Sequence, residues 1–233
     1  MIFLTVAENI SPAECYNDEV IRPYGKPLCE NGGIAVMRGN LAPQGAIIKT
    51  SAASESLMQH TGRAIAFESL EQYKATYNDP ALDINPEDII VLKNNGPVGY
   101  PGFPETGNVT LPTKIVKKGV RDMIRISDAR MSGTAFGTVV LHTAPEAAVG
   151  GPIALVKTGD TITLDVAQRS LHLHVSDEDL AQRSQQWQAP EVPAHEKRGY
   201  AHLYRSHVTQ ADTGADFDFL MGKSGAELPK SSH

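Results

Sequence analysis

The strongest constraint in this sequence is a succession of short runs rich in β-branched residues, each closed by Gly, Pro or polar breakers. Runs at 33–38 (GIAVMR), 45–50 (GAIIKT), 64–68 (AIAFE), 88–93 (DIIVLK) and 123–127 (MIRIS) have strand length and strand chemistry. Segment 151–175 holds two or three more. Within it, 161–166 and 171–175 alternate apolar and polar residues, as a half-buried hairpin does. Helical signals are fewer. Residues 70–77 form a short candidate, and 112–118 another, with Pro112 at its start and Gly119 just past its end. Ser176 precedes three acids that begin a helix reaching Trp187, and 198–210 reads as a last helix. Many short strands with few helices predict a mainly β, α+β domain: a barrel or sandwich decorated by helices.

Organisation follows from the breakers. Residues 1–30, punctuated by Pro12, Pro23, Gly25 and Pro27, read as an extended lead segment. Residues 31–190 carry the strands, and 191–233 read as a C-terminal helix and tail packing on the same domain. Of the 233 residues, 41% are hydrophobic, enough to bury a core. A net charge of −6 leaves no basic excess for phosphates, so no nucleic-acid partner is expected. No apolar run is long enough to span a bilayer, and the brief apolar start at 1–7 lacks a basic flank. A cytoplasmic protein without a membrane partner is expected. The two cysteines, Cys15 and Cys29, are too few for an iron–sulfur cluster or a Cys-only zinc site.

Three loops combine glycines with reactive residues. In 94–108 (NNGPVGYPGFPETGN), four glycines and three prolines surround Glu105. Such a stiff loop could hold a carboxylate for a hard cation such as Mg²⁺. On composition alone it reads first as a surface turn with a solvated Glu. In 127–137 (SDARMSGTAFG), Ser132, Gly133 and Thr134 follow a strand, where a serine hydroxyl can point into a cleft. Arg130 stands where a Gly-x-Ser-x-Gly elbow has its first Gly, and on spacing alone the segment reads first as a plain Ser/Thr turn or helix cap. The third loop, 142–151, supplies His142. Ser132, His142 and Asp128 would be the members of a hydrolase triad, whose geometry spacing cannot establish. His172 and His174 share one strand face without an evident third ligand. Lys93 and Arg130 are lone bases that could pair with an anionic substrate or serve as surface charges. Gly32-Gly33 begins no dinucleotide fingerprint.

Segments 39–54 (GNLAPQGAIIKTSAAS), 94–108, 126–160 (ISDARMSGTAFGTVVLHTAPEAAVGGPIALVKTGD) and 171–183 (LHLHVSDEDLAQR) resemble, in order, the carboxy-terminal part of the IlvD/Edd dehydratases. Tyr100, the ISDARMSGTA string and the ending ADFDFLMGKSGAELPKSSH are most similar to the sugar-acid branch, which acts on L-arabonate or D-xylonate. The resemblance implies a closed β-barrel of the swivelling-domain type, flanked by helices. It also implies removal of water from a 2,3-dihydroxy (aldonic) acid to give a 2-keto-3-deoxy acid. An iron–sulfur cluster would act as Lewis acid on the C3 hydroxyl, Mg²⁺ would hold the carboxylate end, and a serine alkoxide would be the base. Carried over residue by residue, the base is Ser132 and the Mg²⁺ carboxylate is Glu105. Thr134 and the terminal His233 are substrate contacts.

The family's amino-terminal domain, which supplies the cluster cysteines and further Mg²⁺ ligands, has no counterpart here, and Cys15 and Cys29 fall outside any cluster motif of the family. The sequence therefore reads as the carboxy-terminal domain alone, from a fragment, a split gene or a truncation. Its expected partners are a sugar-acid substrate, a cluster-bearing amino-terminal domain or full-length subunit, and further copies of itself as a homo-oligomer. Without the cluster it is expected to be inactive by itself. The alternative is a non-catalytic remnant that binds an acid ligand or a full-length subunit.

Overall fold

The computed structural model of the chain describes residues 5–11 and 13–222. The chain divides into two compact units, Met1–Gly32 and Gly33–His233. In the first, the expected extended run contains a one-turn helix, α1 (Val6–Ile10). A capping box explains it: Thr5 Oγ1 accepts from Glu8 N at 3.2 Å, and Glu8 Oε2 accepts from Thr5 N at 2.7 Å. None of this unit's described residues is buried.

The second unit is a closed barrel of eight strands: β1 (Ala35–Gly39), β2 (Ala42–Ile48), β3 (Gln59–Phe67), β4 (Ile89–Leu92), β5 (Arg125–Ser127), β6 (Val139–Ala144), β7 (Thr161–Asp165) and β8 (Ser170–Leu173). Around the barrel the order is β1-β2-β6-β5-β4-β3-β7-β8. Strands β3, β4, β5 and β6 run parallel, and hairpins β1–β2 and β7–β8 complete the wall. A parallel Arg38–Ser170 pair closes it. The five runs and the hairpin expected from sequence are all strands. β6 was not anticipated, because VVLHTA lies across what reads as a loop.

Side-chain alternation sorts β4 between two cores. Ile89 and Val91 point into the barrel with Met37, Ile48, Ile126, Val140 and Leu164. Ile90 and Leu92 point outward, beneath α2 (Leu70–Thr76) and α3 (Thr113–Lys117), against Phe67, Tyr73, Ile115 and Met123. Burial on both faces is why this strand is a continuous apolar run. Ser69 caps α2 by accepting from Gln72 N at 3.1 Å, and Ser176 caps α4 (Asp177–Gln186) by accepting from Asp179 N at 3.1 Å. A last helix, α5 (Gly199–His207), lies near its expected place.

Parallel neighbours need crossovers. Those from β3 to β4 and from β4 to β5 contain α2 and α3. The crossover from β5 to β6, residues 128–138, contains no helix. It leaves the same end of the barrel as the loop that follows β4.

Candidate active site

Asp128 follows β5 directly and is fully buried. Its Oδ1 accepts from Asn95 N at 2.9 Å, and its Oδ2 accepts from Asn94 N at 3.1 Å and Ala147 N at 2.9 Å. Burial, reinforced by the nearby Glu146, pushes this carboxyl up to about 7 against the pull of those three N–H donors. Glu146, also buried, accepts from Val98 N at 2.9 Å, Gly99 N at 2.8 Å and Gln210 Nε2 at 2.7 Å. Burial raises its pKa as well. A Cβ on Gly96 would come within 2.5 Å of Glu146 Oε2, so only glycine fits there. Two carboxylates thus fasten residues 94–99 to the barrel rim. Sequence reading missed this role for both, since each partner lies 19 to 64 residues away in the chain.

Arg130 joins the two glycine-bearing loops. Its carbonyl accepts from Gly107 N at 2.9 Å, its Nε donates to Phe103 O, and its Nη1 lies 3.5 Å from Glu105 Oε1. With both side chains close to half exposed, at 44% and 46%, this ion pair orients more than it stabilises. A Cβ on Gly107 would meet Leu141 Cδ2 at 2.2 Å, which explains a glycine where the loops touch. Glu105 also lines a groove of about 350 Å³ with Thr106, Tyr73 and Tyr77. Ser132 is not among the residues lining that groove.

Ser132 begins a tight turn in which its carbonyl accepts from Ala135 N at 3.0 Å and its Oγ lies 3.1 Å from Thr134 Oγ1. It is partly buried, and Gly133 and Thr134 are exposed. Lys49, the first residue after β2, donates from Nζ to Gly133 O. Arg130 therefore links the Ser132 turn and Glu105 into one neighbourhood.

The hydrolase triad is not assembled. The hydroxyl of Ser132 pairs with Thr134, and the oxygens of Asp128 are taken by backbone N–H groups. The His142 ring packs on Phe103, with 5.4 Å between centroids. Burial, with Arg130 nearby, lowers its pKa, which favours the neutral ring. Lys93 is buried against Glu68 at 2.6 Å and Ala154 O at 3.1 Å, so its ammonium is already engaged. His172 and His174 pack edge to face, and His174 Nε2 lies 2.7 Å from Thr163 Oγ1. His233 lies outside the described residues.

Among the described residues no three His, Cys, Asp or Glu side chains converge. Cys15 and Cys29 are exposed free thiols in the first unit. Glu105 is a single carboxylate engaged by a guanidinium. These residues alone fit neither an iron–sulfur cluster nor a complete Mg²⁺ site.

Residues 19–215 match the family model described as dihydroxy-acid/6-phosphogluconate dehydratase C-terminal. The chain is 55% identical over 230 residues to an L-arabonate dehydratase of Azospirillum brasilense, covering 97% of this chain and 40% of that protein. It is 56% identical over 231 residues to an L-arabinonate dehydratase of Rhizobium leguminosarum bv. trifolii, covering 98% and 39%. A D-xylonate dehydratase of Caulobacter vibrioides is 35% identical over 242 residues, with 98% and 40% covered. The chain spans about 40% of the length of these relatives.

Proposed function

The chain belongs to the dihydroxy-acid/6-phosphogluconate dehydratase family, as its C-terminal domain, and on that premise we propose that it contributes the base and one metal carboxylate to a hydro-lyase acting on aldonic acids. The product would be a 2-keto-3-deoxy acid. The names of the relatives support the substrate class. One observation carries the assignment of residues: Arg130, two positions before Ser132, contacts the loop of Glu105 through both its backbone and its side chain.

On this reading Ser132, as alkoxide, takes the proton from C2. The C–H electron pair forms the C2–C3 double bond and the C3 hydroxyl leaves with its bonding pair; the proton taken up by Ser132 completes the water and restores the alkoxide, and the enol tautomerises to the ketone. Thr134, hydrogen-bonded to Ser132, aligns the hydroxyl and meets substrate, and His233, outside the described residues, is taken as a further substrate contact. The departing hydroxyl needs a Lewis acid, and among the described residues no three His, Cys, Asp or Glu side chains converge to hold one. The reading therefore assigns an iron–sulfur cluster, and the remaining Mg²⁺ ligands beside Glu105, to a cluster-bearing amino-terminal domain or a full-length subunit. It holds the isolated chain inactive. It also takes the barrel as a swivelling-type domain spanning 31–190, with the described part of 191–233 packed on it and 223–233 outside the described residues, working in the cytoplasm as a homo-oligomer.

The test is reconstitution. The chain is mixed with a separately produced amino-terminal portion of an arabonate dehydratase, its cluster assembled, and keto-acid formation followed. Turnover that needs both parts and disappears in Ser132→Ala supports the reading. Stable assembly with no turnover for any aldonic acid overturns it in favour of a silent remnant.

A further inference from the structure

Lys49 occupies a place that the mechanism above does not use. The serine turn projects from a helix-free crossover, and the sequence immediately after β2 brings a lysine to its back. The Nζ of Lys49 donates to Gly133 O, the peptide carbonyl directly following Ser132. Its partner is 84 residues away, so the contact is tertiary and not a product of local turn chemistry. At its root Lys49 is held by structure on both sides. Ile48 before it is fully buried and pairs with Val140, and residues Thr50–Ala52 after it form a 3-10 turn whose Ala52 O accepts from Gly137 N at 2.9 Å. The crossover is thus tied to the end of β2 at two points, Gly133 and Gly137.

A serine hydroxyl ionises only with difficulty, and an adjacent cation favours the charged form. The charged and titratable groups around this crossover are Lys49, Arg130, Asp128, Glu105, His142 and the Asp122–Arg125 pair. Asp128 spends its oxygens on backbone N–H groups. Arg130 faces Phe103 O and Glu105. Arg125 is bound to Asp122 at 2.7 Å. His142 is held neutral by burial. Among the described residues, Lys49 is left as the cation that touches the turn itself.

We propose that Lys49 is a positioning residue for the serine base: it fixes the turn through Gly133 O and holds a positive charge on the turn that carries the Ser132 hydroxyl, favouring its ionised form. The proposal rests on the reading of Ser132 as base, yet its test needs no turnover.

In a Cys15→Ser, Cys29→Ser background, Ser132→Cys installs a titratable probe at the base position. Its alkylation rate by iodoacetamide, measured against pH, gives the thiol pKa in the whole chain. The proposal expects a value below the free-thiol figure of about 8.5. Lys49→Met and Lys49→Gln should each raise it by about one pH unit, and Lys49→Arg should keep it low. The difference should shrink in about 1 M salt, where screening acts within about 3 Å. Asp128 titrates alike in every variant, so it cancels. The glutamine variant separates charge from tethering, since its amide can still donate to Gly133 O. A thiol pKa unmoved by Lys49→Gln, or moved equally by Lys49→Arg, overturns the proposal. Failure of reconstitution with this shift intact would count against the dehydratase reading alone.

Discussion

Replacing Asp128 by asparagine tests the buried clamp through its pH dependence. The carboxyl is sealed, and burial lifts it from an ordinary 3.8 to about 7. An unfolded chain has released this proton by pH 5, whereas the folded barrel keeps it until about pH 7. Folding therefore takes up a proton across that window, and stability falls as pH rises through it. At about 1.4 kcal/mol per unit of displacement, the cost accumulating between pH 5 and pH 8 is about 2.5 kcal/mol. Asp128→Asn removes this slope because it has no proton to release. The same substitution turns an amide nitrogen toward backbone N–H donors and strands at least one of them, so at pH 5 the variant should already be about 1–3 kcal/mol less stable. The two stability curves should therefore converge as pH rises. Urea unfolding followed by Trp187, the chain's one tryptophan, which packs over Gly150 in the barrel unit, measures both effects at pH 5, 6, 7 and 8. His142 titrates in both proteins and cancels; Glu146 is coupled to Asp128, so the difference reports Asp128 together with the shift its charge imposes on Glu146. Equal pH slopes for the two proteins would refute the reasoning.

Gly107→Ala should lower the urea stability by about 1–3 kcal/mol, because the new methyl overlaps Leu141; an unchanged midpoint would contradict the contact. Arg130→Ala should speed amide exchange across 100–108 by about tenfold, read by mass spectrometry, as Phe103 O and Glu105 lose a shared donor. Unchanged exchange would show that Gly107 alone docks the loop. Calorimetric titration with Mg²⁺ should give no binding tighter than about millimolar, since one carboxylate is a poor site; tight binding abolished by Glu105→Gln would reverse that conclusion.

Much of the barrel is legible along the chain because its strands obey local rules. The β7–β8 hairpin alternates, and β4 is a solid apolar run between breakers. β6 escaped because its burial does not alternate and because His142 adopts a positive φ of 53°, where the pairing with β2 slips between Gly45 and Ile47. A bulge of this kind is set by the partner strand and not by the residues that form it. The α1 turn escaped for the opposite reason: two residues, Thr5 and Glu8, suffice to cap it inside a segment otherwise rich in breakers. In the site, glycine-rich loops with a serine and a glutamate stood out by composition. What joins them did not, since Lys49, Arg130, Asp128 and Glu146 act on backbone groups many residues away, and no pattern in a single segment encodes that.

The geometry also explains where the difficulty of the chemistry lies. The loops are held by the most deeply buried carboxyls in the neighbourhood, while the groups that would react stand nearer the surface: Glu105 and Arg130 are half exposed, Ser132 is partly buried, and Gly133 and Thr134 are exposed. A charge at such a surface is stabilised mainly by water, and a nearby cation is correspondingly screened. Lys49 alone can thus shift the base by about a unit, whereas a serine alkoxide must gain far more. The remainder has to come from excluding water over this face. Covering it would strengthen Lys49 and Arg130 together without altering a single contact inside the barrel. In the reconstituted enzyme, then, Lys49→Gln should lower turnover by clearly more than the tenfold that a one-unit thiol shift in the open chain implies. A loss of tenfold or less would show that the face stays wet when covered.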